Sequence, residues 1–272
     1  MTNLLYSHER VTTADGNTVH IGFTSTAAGN LGLHVGDDPL STLTNRAQLD
    51  KQMLGEHGKT NGFTYLNQVH GTAVFNADRQ KPQHREKRIS HETAQELRET
   101  APVADAASSS TGQPLAVMVA DCIPLVFVAE HQGTGAPITA VAHAGRRGLL
   151  EGVIQQTISD LICRGGANIR TWLGPSICGN CYEVSRDMQV ESVHLLPQLA
   201  AQTSWGTPAL DLPAGARAVL ANCPEVTAVS SALAACTLES PHLFSHRGLA
   251  AGQPEGRIAG LVWVDKNLSE KE

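Results

Sequence analysis

The stretch LAVMVADCIPLVFVA, residues 115–129, decides how this chain folds. Two apolar runs, 115–119 and 123–129, are interrupted by Asp121 and Cys122. A third run, 138–142, follows closely and leads into His143-Ala144-Gly145-Arg146-Arg147-Gly148. Short continuous runs rich in Val and Ile read as strands buried on both faces. Beyond Gly148 the period changes. Leu149, Leu150, Val153, Ile154, Thr157, Ile158, Leu161 and Ile162 recur at helical spacing, opposite Gln155, Gln156, Ser159 and Asp160. One helix is expected there. His143 then falls on a strand-to-helix turn, near the positive end of the helix.

Outward from this centre, 19–23 reads as a strand and the glycine-rich 29–39 as a loop. Residues 42–55 look helical, with Leu43, Ala47, Leu49 and Leu54 inward, and 63–75 look extended. On the other side, the strand 169–173 ends in Gly174-Pro175. Helices are expected near 185–194 and 214–221, and strands at 226–230 and 258–264. No repeat or clear linker appears. The expected fold is α+β (mixed α/β): a single domain over residues 1–272, a mixed β-sheet core flanked by helices. Residues 76–104 change character. A run of Lys, Arg, Gln and His at 79–88 precedes a polar helix at 90–100, which reads as a solvated surface insertion.

At 272 residues the chain can bury a full core. Its net charge of -6 argues against nucleic-acid or membrane-surface partners. The first ten residues lack a basic segment followed by an apolar run, so no signal peptide is expected. No apolar stretch approaches the roughly 20 residues that cross a bilayer. A cytoplasmic protein is expected, with its six cysteines reduced.

The chemistry-bearing residues are few. His70, Cys122 and His143 each sit beside an apolar run and a glycine or turn. Two imidazoles and one thiolate make a good three-ligand zinc site and leave a fourth position for water or substrate. Singly, each would read as a packed core residue. Asp121, a carboxylate between apolar runs, needs a partner. It either orients a ligand histidine or caps a turn. Arg146 and Arg147 oppose the dipole of the helix they open, which suits holding an anion; the alternative is a solvated surface pair. Arg247 and Arg257 are similar candidates. Cys178-Gly179-Asn180-Cys181 is a lone CxxC with no second pair to complete a zinc ribbon, and reads as packing.

Several segments together carry a family resemblance. They are Gly29 to Asp38 with Asn45-Arg46, Gln68-Val69-His70-Gly71, Ala104-Asp105-Ala106, Ala120-Asp121-Cys122-Ile123-Pro124 and Ala142-His143-Ala144-Gly145 with Arg147-Gly148. Leu173-Gly174-Pro175-Ser176-Ile177, Cys181-Tyr182-Glu183-Val184, Phe244-Ser245-His246-Arg247 and Gly256-Arg257 complete the set. In this order they resemble the laccase-domain purine nucleoside phosphorylase family, long described as multicopper polyphenol oxidases. The resemblance covers nearly the whole chain and is weakest at 76–104.

The resemblance implies zinc bound by His70, Cys122 and His143, which are then also the catalytic residues. It implies phosphorolysis of adenosine, inosine, guanosine and methylthioadenosine, and hydrolytic deamination of adenosine. Purine nucleosides and phosphate are the expected partners of a monomer or small homo-oligomer. A three-ligand zinc can activate water, as zinc nucleobase deaminases do at the base. Candidate substrate-binding residues are Asn30, Arg46, Gln68, Arg146, Arg147, Arg247 and Arg257. Two positions depart from the family pattern: Arg146 where Trp is usual, and His246 where Arg is usual.

Other classes stay open. A multicopper oxidase holds several coppers on many histidines, mostly in His-x-His pairs, and no two of the twelve histidines here are two apart. The same His₂Cys set could hold a single copper (Cu2+). A metal-free hydrolase could use Cys122 as nucleophile with His143 or His70 as base. A non-catalytic binding module is the remaining reading.

Overall fold

The strand Ile123–His131 lies at the centre of the protein, and its side chains alternate between two cores. Ile123, Leu125, Phe127 and Ala129 face one hydrophobic cluster, whereas Val126 and Val128 face another. This is the period-2 geometry of a strand buried on both faces. The computed structural model describes residues 4–55, 62–79 and 89–265. In chain order its strands are β1 Leu5–Thr12, β2 Thr18–Thr24, β3 Val74–Asn76, β4 Ala106–Ser109, β5 Leu115–Val119, β6 Ile123–His131, β7 Pro137–Ala144, β8 Gly166–Leu173, β9 Ala200–Gln202, β10 Pro208–Leu210, β11 Val226–Ser230 and β12 Ile258–Asp265. The helices are α1 Pro39–Leu54, α2 His91–Thr100, α3 Arg146–Glu151, α4 Val153–Cys163, α5 Arg186–Leu195 and α6 Leu212–Ala221.

Three sheets form. A mixed sheet runs β11-β8-β6-β7-β4-β3, an antiparallel sheet runs β1-β2-β12-β5, and β9 and β10 make a small hairpin. The two larger sheets pack face to face through Ile21, Phe23, Val117, Val262, Val126, Val128 and Trp172. Helices α3, α4 and α6 cover the far face of the mixed sheet. Leu49 of α1, with Leu31 and Phe63, covers the far face of the antiparallel one. Burial on both faces therefore comes from stacked layers, while β5 pairs antiparallel with β12 and β6 with β7.

The mixed α+β single domain matches the expected class. Four local expectations change. The helix expected from Gly148 is two helices, because Gly152 adopts φ +99° and ends α3 after six residues. The short α3 leaves little dipole for an anion site at its start. His143 belongs to β7, not to the turn. Residues 63–75 make only isolated bridges, Thr64 to Leu115 and Asn67 to Val103, before β3. The strand β1 was not apparent in the sequence; its alternating Tyr6, His8 and Arg10 read as polar. Most of the basic run at 79–88 lies outside the described residues. The polar helix α2 starts at a Ser90 cap and buries Ala94 against Leu33 and Leu43. Among the described residues, no helix is long and apolar enough to cross a membrane.

Candidate metal centre

Three elements deliver the predicted ligands to one point. Cys122 sits in the turn from β5 to β6, His143 near the end of β7, and His70 in the loop that precedes β3. Pairing of β6 with β7 puts Pro124 opposite His143, so Cys122 lies just beyond the strand end on the same edge. The ligand atoms of His70, Cys122 and His143 all lie within 4.8 Å of one another. Cys122 Sγ is 3.9 Å from His70 Nε2, and the two imidazoles meet edge to face at 4.7 Å. Tetrahedral zinc, with bonds of about 2.0–2.3 Å, holds N and S ligands roughly 3.5 Å apart. The donor set thus fits a soft or borderline divalent cation with small adjustments.

Asp105 organises this convergence. Its side chain is fully buried. His143 Nδ1 donates to Asp105 Oδ1 at 2.8 Å, which leaves Nε2 for the ligand cluster. The backbone N–H groups of Val69, His70 and Gly71 donate to the same carboxylate at 3.1, 2.8 and 2.6 Å. This wrap holds His70 in the left-handed region, φ +59°. The carboxylate thus sets the tautomer of one ligand and the backbone of another. Burial alone would push Asp105 up, but the bonds from His143, Gly71 and Val69 outweigh it and hold its carboxyl below the ordinary range.

Asp121, the other candidate for that role, touches no ligand histidine. Its carboxylate accepts from Thr237 Oγ1 at 2.6 Å, Ser245 Oγ at 2.7 Å and the Arg247 N–H at 2.7 Å. It sits at φ +89° because it ties the turn before Cys122 to the C-terminal loops. Sequence reasoning gave Asp105 no role. The only local signal was its charge between two small apolar residues that prove fully or nearly buried.

Without a metal, Cys122 and His143 polarise each other. Burial opposes the thiolate, yet His143 and His70 bring the Cys122 thiol down to about 6. Burial likewise opposes the imidazolium, yet Cys122 and Asp105 raise His143 to about 9. The thiolate is the form a metal ligand or a nucleophile requires, and His143 gives up its Nε2 proton when a metal binds. Gly145 gives the cluster room. A Cβ there would lie 2.8 Å from His70 Cδ2 and 2.9 Å from Cys122 Sγ.

The candidate substrate residues fall into two groups. Asn30, Arg46 and Gln68 hold the scaffold. Asn30 is buried and bonds Gly32, Thr42 and the Arg257 N–H. Arg46 lies 3.8 Å over the Tyr65 ring and donates to the Leu31 carbonyl. Gln68 pairs both ways with the Met118 backbone, at 2.7 and 2.8 Å, pinning the His70 loop to β5. The other four are cations with varied partners. Arg147 pairs with Glu151 in the open, and Arg146 reaches Ser192 and Glu191 on α5. Arg247 lies 5.5 Å from the Tyr182 ring, and Arg257 is half-buried within the field of Cys122 and Asp121. His34, not singled out from the sequence, lies within electrostatic range of Arg257, Arg46 and His143. Burial and the charges of Arg257 and Arg46 push its imidazole down to about 4, so it is neutral.

The chain matches the family model described as multi-copper polyphenol oxidoreductase laccase over residues 11–265. A purine nucleoside phosphorylase of Streptomyces coelicolor is 34% identical over 92% of this chain and 97% of its own. One of Mycobacterium tuberculosis is 36% identical over 87% of this chain and 84% of its own. The crystal structure of a Neisseria meningitidis protein superposes with a TM-score of 0.70 at 30% identity, covering 97% of this chain and all of that one. The YlmD protein of Geobacillus stearothermophilus gives 0.68 at 25% identity, over 91% and 92% of the two chains. With the His70, Cys122 and His143 segments inside the matched span, the chain belongs to the multi-copper polyphenol oxidoreductase laccase family.

Proposed function

We propose that this protein is a zinc-dependent purine nucleoside enzyme. It cleaves adenosine, inosine, guanosine and methylthioadenosine with phosphate, and deaminates adenosine with water. In this reading residues 1–272 act as one domain with 76–104 as a surface insertion. The protein works in the cytoplasm as a monomer or small homo-oligomer. The observation that carries the reading is the convergence of His70, Cys122 and His143 over Gly145, with Arg257 within electrostatic range of Cys122. The relatives named as purine nucleoside phosphorylases support the substrate class.

His70, Cys122 and His143 would hold the zinc, and bound zinc supplies Lewis acidity towards an oxygen. The chain's own residues do the rest. Asp105 keeps a proton on His143 Nδ1 and so keeps Nε2 available. Arg257 and Arg247 offer charge-assisted donors to phosphate. Tyr182, within electrostatic range of Cys122, and neutral His34, within range of His143, offer a ring face and a neutral hydrogen-bonding group. In phosphorolysis a phosphate oxygen bonds to ribose C1′ as the C1′–N9 bond breaks and the electron pair leaves with the purine. In deamination a water oxygen bonds to C6 and the amino group departs as ammonia.

Copper remains the alternative metal. A multinuclear copper centre needs many imidazoles, whereas among the described residues the histidine-containing ligand group has two. The Cys122–His143 ion pair favours a second reading, a metal-free cysteine hydrolase. One experiment separates these. The purified protein is incubated with adenosine, with and without phosphate, before and after chelation. The proposal expects inosine and ammonia without phosphate, and adenine or hypoxanthine with ribose 1-phosphate when phosphate is present. None of these products under zinc-replete conditions overturns it. Full activity after chelation, abolished by thiol alkylation, selects the cysteine hydrolase.

A further inference from the structure

A second cluster of soft ligands lies apart from the first. In sequence, Cys178 and Cys181 form a CxxC with nothing to complete it. The fold completes it. Ser176 bridges to Cys236 in a short parallel pairing, through Ser176 N–H to the Ala235 carbonyl and Thr237 N–H to the Ser176 carbonyl. That register brings Cys236 onto the CxxC. The sulfurs of Cys178, Cys181 and Cys236 and a carboxylate oxygen of Glu239 all lie within 4.8 Å of one another. Tetrahedral zinc with Zn–S bonds of about 2.3 Å spaces its sulfurs about 3.8 Å apart, so small shifts close the site.

The surroundings are those of a metal-thiolate knuckle. The Cys178 carbonyl accepts from the N–H groups of Cys181 and Tyr182, both at 3.0 Å, which folds the CxxC back on itself. The backbone N–H groups of Cys178 and Glu239 are directed at the Cys236 sulfur. Amides aimed at sulfur favour the thiolate, the form that ligates. Cys181 is buried, and burial with the neighbouring Cys178 and Cys236 holds its thiol well above the ordinary range when no cation is present.

We infer that Cys178, Cys181, Cys236 and Glu239 form a second, structural site for a thiophilic divalent cation such as zinc. Four protein ligands leave no open position, which marks structure rather than chemistry. Binding displaces the thiol protons to solvent as the three metal–sulfur bonds form. The site staples two loops that carry little regular structure, 174–183 and 231–246. Both hold the turn before Cys122. Ile177 N–H donates to the Asp121 carbonyl at 2.9 Å, and Thr237 Oγ1 to its carboxylate at 2.6 Å. The second site therefore supports Asp121, Tyr182 and Arg247 from behind, whatever reaction the first site performs.

Cobalt titration tests this without an activity assay. Cys122→Ser leaves no thiolate among the first three ligands. Co²⁺ added to the reduced, metal-free Cys122→Ser chain should bind in one equivalent with intense thiolate-to-cobalt absorption, and zinc should bleach it. Adding Cys236→Ser should abolish that band. Should that double variant fail to fold, Glu239→Gln in the Cys122→Ser chain should weaken cobalt binding about tenfold, one lost charged contact. No thiolate band in Cys122→Ser, or unchanged affinity in Glu239→Gln, overturns the site. So does a wild-type chain, purified without reductant, that shows only four free thiols when denatured with chelator; that count is a disulfide.

Discussion

Asp105 and His143 are joined twice. His143 Nδ1 donates to the Asp105 carboxylate at 2.8 Å, and the His143 N–H donates to the Asp105 carbonyl at 2.7 Å. One residue thus fixes both the backbone and the ring of a ligand, and through Val69, His70 and Gly71 it also fixes the loop of a second. Asp105→Asn keeps the shape but replaces an acceptor oxygen with a donor nitrogen. That nitrogen must face either the ring N–H or the loop N–H groups. Metal affinity should fall by about 10- to 100-fold. Competition with a coloured chelator measures it; wild-type affinity in Asp105→Asn would show that Asp105 organises nothing.

How much of this was legible in the sequence follows from local physics. The central strands were readable because both faces are buried, so 115–119 and 123–129 are apolar throughout and 138–142 nearly so. The strand β4 was not, because Ala106, Ala107, Ser108 and Ser109 have small side chains with weak strand preference, yet all are buried between β3 and β7. The break at Gly152 was hidden because apolar spacing continues across it. In the site, the metal ligands were visible beside their glycines. Asp105 was not, since a single carboxylate carries no period, and its partners come from 34–38 residues away. Cys236 was missed for a related reason: only the bridge to Ser176 brings it to the CxxC.

The metal-free pair makes a pH prediction. Cys122 is depressed to about 6, so its thiolate persists above that pH and is lost as pH falls through it. Alkylation of Cys122 by iodoacetamide in the chelated protein should rise through about pH 6 and then level off. An ordinary thiol would instead rise through about 8.5. Zinc should protect. Peptide mapping after timed alkylation reads the profile. A midpoint above 8 for Cys122 would remove the ion pair with His143.

Two glycines separate site from scaffold. Gly145→Ala drives a methyl group against His70 and Cys122 and should cost most of the metal and nearly all turnover. Gly152→Ala meets only an ordinary van der Waals contact with the Gln155 side chain, at 3.5 Å, but must hold φ +99°. It should destabilise by about 1 kcal/mol while leaving metal content unchanged. Thermal melts and metal analysis of both variants test the contrast; equal metal loss in the two would mean that the kink between α3 and α4, not the space over Gly145, sets the site.

The candidate cations divide by what already occupies them. Arg147 is exposed and pairs with Glu151 on its own helix, an arrangement that contributes little and faces solvent. Arg146, where the family pattern has Trp, is turned to Ser192 at 3.4 Å and Glu191 at 4.0 Å on α5. Neither guanidinium is directed at the three ligands. Arg257 is different. Its backbone is pinned by buried Asn30, its guanidinium donates to the adjacent Gly256 carbonyl at 2.8 Å, its side chain is half-buried, and Glu255, Cys122 and Asp121 lie within its field. A half-buried guanidinium keeps its charge and interacts more strongly than an exposed one, because less water screens it. Arg257→Ala should therefore raise the apparent KM for phosphate by about tenfold, one charge-assisted contact at ~1.4 kcal/mol. Arg146→Ala and Arg147→Ala should leave it within about twofold, a change of ~0.4 kcal/mol. Measured side by side at fixed nucleoside, the three variants rank the cations. A phosphate KM raised in Arg146→Ala but unchanged in Arg257→Ala would move the anion site to the start of α3 and away from the Asn30 loop.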